Sequence, residues 1–171
     1  MFPWKGGVFA TSAPDILYLK DTNGDHQADV KEVWYTGFDT DVSPEARITN
    51  LRWGLDNWIY AANNGRPGRI TSPQFPDFAP VYVRGGDFRF QPATGKFEPA
   101  AGPTQFGMSF DAWGNRFVTQ NTIHLRHVVL PGRYLRLNPY YAPESALHYV
   151  PGDDPGNSII HPLTRPQQWR I

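Results

Sequence analysis

Cysteine is absent from the 171-residue chain, which excludes disulfides, thiol nucleophiles, iron–sulfur clusters and covalently attached c-type haem on this polypeptide. Neither sign of charge is in excess, since 16 Lys and Arg balance 16 Asp and Glu. The basic residues stand singly among acids, aromatics and glycines, which argues against nucleic-acid binding and against an electrostatic membrane anchor, because both need a clustered basic excess. No run approaches the ~20 apolar residues of a membrane span, so the chain reads as soluble as written. Its start, Met1-Phe2-Pro3-Trp4-Lys5-Gly6-Gly7, has neither the charged head nor the apolar centre of a signal peptide. It runs at once into strand-like sequence, Gly7 to Ser12, the pattern expected of a start cut from a longer protein.

What the chain does have is punctuation and aromatic bulk. Seventeen Pro and 16 Gly break it often enough to disfavour long helices, while 11 Phe, 8 Tyr and 6 Trp suffice for a core. A period of two recurs in short stretches: Ile16-Leu17-Tyr18-Leu19, Val30 to Tyr35, Trp58-Ile59-Tyr60-Ala61, Tyr82-Val83-Arg84, Phe88-Arg89-Phe90 and Arg116 to Thr119. Turn sequences separate them, among them Asn23-Gly24-Asp25, Asn64-Gly65-Arg66-Pro67-Gly68, Pro92 to Gly95 and Leu130-Pro131-Gly132. The fold class is therefore all-β.

Within that pattern, Leu55-Asp56-Asn57-Trp58-Ile59-Tyr60-Ala61 returns in looser form as Phe110-Asp111-Ala112-Trp113-Gly114-Asn115-Arg116-Phe117-Val118-Thr119, and in degenerate form as Trp4 to Thr11. Phe9, Tyr60 and Phe117 then align at spacings of 51 and 57 residues, slightly longer than familiar propeller blades. The expectation is a partial β-propeller of about three four-stranded blades over residues 1–141, too few to close a ring, with a Pro-rich extended tail over 142–171. One further strand is expected at Ala146 to Val150. A β-sandwich of similar strand count is the alternative.

Two stretches carry candidate chemistry. Asp21, Asn23, Asp25 and Asp29 occupy positions 1, 3, 5 and 9 of an inter-strand loop, with the Gln27 carbonyl at position 7, a spacing that wraps a hard cation such as Ca²⁺. His26 stands at position 6, where Gly usually makes the sharp turn, and Glu32 at position 12 falls in strand-like sequence; the plain alternative is an Asp/Asn/Gly turn that binds nothing. The second stretch, Gln120-Asn121-Thr122-Ile123-His124-Leu125-Arg126-His127, follows what reads as the innermost strand of a blade. There His124 or His127 would act as a base and Arg126 would hold a carboxylate or quinone oxygen. Asn63 to Arg66 and Thr11 to Asp15 are the equivalent stretches of the other blades, and these positions are expected to converge. Trp53, Trp58 and Trp113 read as blade packing rather than sugar stacking, and Asp56 and Asp111 as acceptors of turn amides.

Residues 7–25, Asn50 to Tyr60, Arg84 to Phe90, Gln105-Phe106-Gly107 and Trp113 to Leu130, in that order, resemble the N-terminal propeller of the membrane-bound dehydrogenases of Planctomycetes and Verrucomicrobia, over roughly residues 6–141. That family is similar to quinoprotein sugar dehydrogenases of the glucose/sorbosone type. The resemblance implies an exported or periplasmic, calcium-containing propeller that oxidises a sugar or alcohol with pyrroloquinoline quinone (PQQ) and passes electrons to a c-type haem domain of a longer parent protein. His124, Arg126 and His127, with Arg52, Arg84 and Asn121, would then hold quinone and substrate. The competing expectation is a non-catalytic, calcium-stabilised propeller module that binds carbohydrate or a protein partner; a lactonase-like hydrolase would need carboxylates on the axis, where the strand ends offer Asn, Thr and Gln instead. Fold alone does not choose between them.

Overall fold

The computed structural model describes residues 1–121, 123–135, 137, 138, 140 and 145–150. Its strands are β1 (Phe2–Trp4), β2 (Gly7–Ser12), β3 (Asp15–Lys20), β4 (Val30–Phe38), β5 (Thr49–Trp53), β6 (Ile59–Ala62), β7 (Gly68–Thr71), β8 (Val81–Val83), β9 (Asp87–Gln91), β10 (Lys96–Ala100), β11 (Met108–Phe110), β12 (Arg116–Val118), β13 (Arg126–Val128) and β14 (Leu147–Tyr149). Among the described residues, helix is confined to one 3₁₀ turn, Pro44–Ala46, and to α1 (Gly132–Leu135). Among the described residues no helix is long and apolar enough to cross a membrane.

All pairings are antiparallel and fall into three sheets, ordered β1-β2-β3-β4-β7-β8, β10-β9-β6-β5 and β11-β12-β13-β14. Each contains one four-stranded meander, and Phe9, Tyr60 and Phe117 each lie on the second strand of their meander. The first strands adjoin: Trp53 of β5 stacks on Phe2 and Trp4 of β1, with ring centroids 5.8 Å apart in both cases, and β11 packs against β5. Three meanders with their first strands innermost form a partial propeller-like β fold, open rather than closed. The strand expected near Ala146 to Val150 is β14, the fourth strand of the third meander. Residues 151–171 of the expected tail lie outside the described residues.

One departure from a plain propeller is the β7–β8 hairpin. It arises between the second and third strands of the second meander, yet pairs with β4 at the outer edge of the first. Gly37 permits this, because it takes φ +103° and a side chain there would strike the Arg69 carbonyl of β7. The hairpin covers an edge that would otherwise present unpaired backbone groups.

Alternation along β9 decides what lies between the sheets. Phe88 and Phe90 face the first sheet, where they meet Phe9, Tyr35 and Phe38, and with Phe97 of the neighbouring β10 they complete an aromatic core, each such side chain contributing roughly 1.5–3 kcal/mol on full burial. Asp87 and Arg89, on the other face of the same strand, reach Arg116, Tyr60 and Asp56 toward the third sheet. The first interface is thus apolar and the second is built around ion pairs.

Candidate functional site

The Asp21–Asp29 segment joins β3 to β4 and closes on itself. Asp21 accepts from the amides of Asn23, Gly24 and His26 at 3.0, 2.6 and 2.9 Å, and Asp29 accepts from the Thr22 amide and hydroxyl, both at 2.7 Å. The Gly24 amide, followed by that of His26, holds the Asp21 carboxyl below its ordinary value, and the Thr22 amide does the same for Asp29. His26 adopts φ +66°, so it makes the left-handed turn for which Gly was expected at position 6. Glu32 stays in β4 and accepts from the Trp34 indole at 3.1 Å. The oxygen donors are of the right kind for a hard cation. The Asn23 amide nitrogen, however, lies between Asp25 and Asp29, at 3.4 and 3.1 Å, and among the described residues no three acidic or His side chains converge to hold a metal.

The second expected cluster follows a second strand, β12, rather than an innermost one. Part of the expected convergence is present: Gln120 donates to Asn64 of the preceding meander at 3.4 Å, and the Asn121 amide donates to Gln105 at 3.3 Å. His124 is exposed on the loop before β13. Arg126 and His127 are neighbours on β13 and so point to opposite faces. Arg126 is buried toward the second sheet and donates to the Pro103 carbonyl at 3.0 Å and to Gln120 at 2.7 Å, leaving its Nε buried without a partner. His127 lies on the far face, stacked on Phe117 with centroids 4.9 Å apart. The three side chains are therefore not one set, and no step through a quinone is derived from them. Arg52 is exposed on β5 and reaches only Asn50, at 3.3 Å; Arg84 is exposed just past β8. The Asp21–Asp29 loop lies at the end of the first sheet opposite the β2–β3 turn, whose Pro14 carbonyl accepts from Gly37 near Asp39, and Asp39 in turn pairs with Arg66. The loop and the His124 region thus occupy opposite ends of the strands.

A more developed constellation lies between the second and third sheets. Cross-strand register sets Arg52, Tyr60, Arg89 and Glu98 in one row across β5, β6, β9 and β10. Arg89 is buried and donates to Asp56 at 2.5 Å, to the Tyr60 hydroxyl at 2.9 Å and to Glu98. Its guanidinium also lies over the Trp58 ring, 4.3 Å from the centroid. Asp56 is thus an ion-pair partner rather than the expected acceptor of turn amides, whereas Asp111 does take the Trp113 and Asn115 amides at 3.0 and 2.8 Å. Burial pushes the Tyr60 phenol up, against the pull of Arg89, so it stays a neutral donor. Behind this row Asp87, fully buried, accepts from the Asn63 and Thr104 amides, the Thr104 hydroxyl and Arg116 at 2.5–3.1 Å. Burial pushes the Asp87 carboxyl up to about 6, although Arg116 draws it back.

In front of the row opens a cavity of about 430 Å³, lined by Asp56, Tyr60, Arg89, Glu98, Trp113 and Asn115 among others. Trp113 does not pack between blades as expected: it is 85% exposed at the rim, beside the 68% exposed Leu55. The sequence carried one signal for this site, the Asp-Phe-Arg-Phe alternation of residues 87–90, which places two charges on one face of a buried strand. No curated protein and no solved structure matches the chain. The family model described as a domain of unknown function, DUF7133, matches residues 1–171, and the chain belongs to that family.

Proposed function

We propose that the chain is a sugar-recognising, non-catalytic propeller module, with its site in the cavity between the second and third sheets. The observation that carries this reading is the exposed Trp113 ring at the rim of a pocket whose floor is the fixed network of Asp56, Tyr60, Arg89 and Glu98. A sugar presents one apolar C–H face and a fringe of hydroxyls. An open indole covers the first, and rigid carboxylates and a guanidinium exchange hydrogen bonds with the second. Both carboxylates pair with Arg89, an arrangement suited to holding a ligand rather than moving protons.

The test is calorimetric titration of the purified protein with the methyl β-glycosides of glucose, galactose and mannose. Saturable binding of at least one is expected, weakened about tenfold by Trp113→Ala, since an aromatic contact contributes ~0.5–1.5 kcal/mol beyond its area. Absence of binding to all three overturns the reading.

A second reading, the propeller segment of a PQQ-dependent sugar or alcohol dehydrogenase, is favoured by the meeting of Asn64 with Gln120 beside the unpartnered Nε of Arg126. Titration with PQQ in the presence of calcium, followed by quinone absorbance, tests it. One saturable site lost in Arg126→Gln would support it, and no binding would remove it.

A further inference from the structure

The cavity that holds Trp113 does not end at Arg89. A second cavity, of about 830 Å³, shares Arg89, Glu98 and Arg133 with it as a common wall. Both cavities reach the Arg89–Glu98 pair, so the two adjoin there. The chemistry changes from one to the other. The second cavity is walled by Trp58, Phe75, Phe78, Val81 and Phe97, while its polar members Asp77, Thr94 and Lys96 are exposed. Phe75 and Phe78 are half-buried against the aromatic core, Phe78 lying 5.8 Å from Tyr35 and 6.2 Å from Phe97 between ring centroids.

Resting on the reading of the first cavity as a sugar site, we propose that the joined groove takes a glycoside with an apolar aglycone, the sugar against Trp113 and Asp56 and the aglycone among Phe75, Phe78 and Phe97. A second sugar unit fits the further cavity less well. Its phenyl walls offer no hydrogen bonds to hydroxyls, its own polar side chains Asp77, Thr94 and Lys96 stand at the exposed margin, and the Arg89 guanidinium already lies over the Trp58 ring at 4.3 Å. An alkyl or aryl group needs only surface to bury, and each methylene taken out of water tightens binding about fourfold.

Matched methyl and hexyl β-glycosides of glucose, galactose and mannose provide the test, by calorimetry on the unmodified protein below micelle-forming concentrations. For the sugar that binds, the hexyl glycoside is expected to bind at least about tenfold tighter than the methyl one. Phe78→Ala should erase the difference while leaving the methyl affinity in place; should that variant not fold, Val81→Asp, which sets a charge on the same wall, replaces it. Equal affinity of the methyl and hexyl forms overturns the inference and leaves the sugar site standing, as does a hexyl gain that survives either substitution. Failure of every glycoside of both series removes the sugar reading and this inference together.

Discussion

Asp87 is the most deeply buried charged side chain among the described residues. It has no exposure, and its carboxyl titrates near 6 in the folded chain against an ordinary 3.8. Between those values the folded state binds the extra proton. The stability this group contributes is full below about 3.8 and is lost as pH rises through about 6. Asp21 and Asp29 act in the opposite sense, because their lowered carboxyls contribute stability above the ordinary carboxylate value that is lost on acidification below it. Unfolding by urea at a series of pH values separates the two. From pH ~4 to ~6 the Asp87 contribution should decline by up to about 3 kcal/mol, and Asp87→Asn should remove that slope while leaving the acid limb unchanged. Arg116 supplies a companion prediction. Arg116→Met strands a buried carboxylate and should cost about 3–5 kcal/mol at pH 7, but distinctly less at pH 5, where Asp87 is already neutral; an equal cost at both values would show that the pair is not the cause.

At the scale of elements, the Asp21–Asp29 loop ties β3 to β4 through its own side chains, and its oxygens are also what a calcium ion would use. A cation that binds only the folded chain must raise its melting temperature. Because the carboxylates are already taken by loop amides and the Asn23 side-chain nitrogen lies between Asp25 and Asp29, identical melting curves are expected in millimolar calcium and in chelator; an upward shift of several degrees, lost in Asp29→Asn, would assign the loop a cation instead. Strands, turns and this loop were legible in the sequence because each is decided within about ten residues, by alternation, by Asn and Gly at corners and by Asp side chains capping nearby amides. The repeat found the second strand of each meander, but β13 was not among the expected strands, and it is this strand that sets Arg126 and His127 on opposite faces. What escaped was non-local. The capture of β7–β8 by β4 depends on an edge 30 residues away, and the assignment of Asp56 to Arg89 spans 33 residues. Asp56 and Asp111 occupy equivalent places in the repeat, so repeat logic assigned both to turn amides, yet Asp56 reaches the Arg89 guanidinium of the adjoining row while Asp111 takes the amides. Trp113 was given to packing by the same logic, although its ring stands 85% exposed.

The whole molecule is held together unequally. Among the described residues, fourteen buried side chains form the core shared by the first and second sheets, whereas four, Tyr60, Met108, Val118 and Val128, form the core shared with the third; partly buried Trp58, Ala100, Ala101, Phe110 and Leu147 pack against those four, and Asp87, Arg89 and Arg116 with their partners complete that interface. Apolar burial stabilises in proportion to area, while buried ion pairs largely offset their own desolvation. The third sheet should therefore open at lower free energy than the first two, as expected of meanders that pack only on their neighbours. Native-state hydrogen exchange in increasing denaturant reads this directly. Amides of β12 and β13 are expected to exchange through a sub-global opening several kcal/mol below that governing β6 and β9. Arg116→Met should lower the first set further without moving the second. A single protection free energy shared by all four strands would mean instead that the ion-pair interface is as cooperative as the aromatic one. The proposed sugar cavity lies across the weaker interface, so a glycoside bound there should raise the protection of β12 and β13 selectively, linking occupancy of the site to the docking of the third sheet.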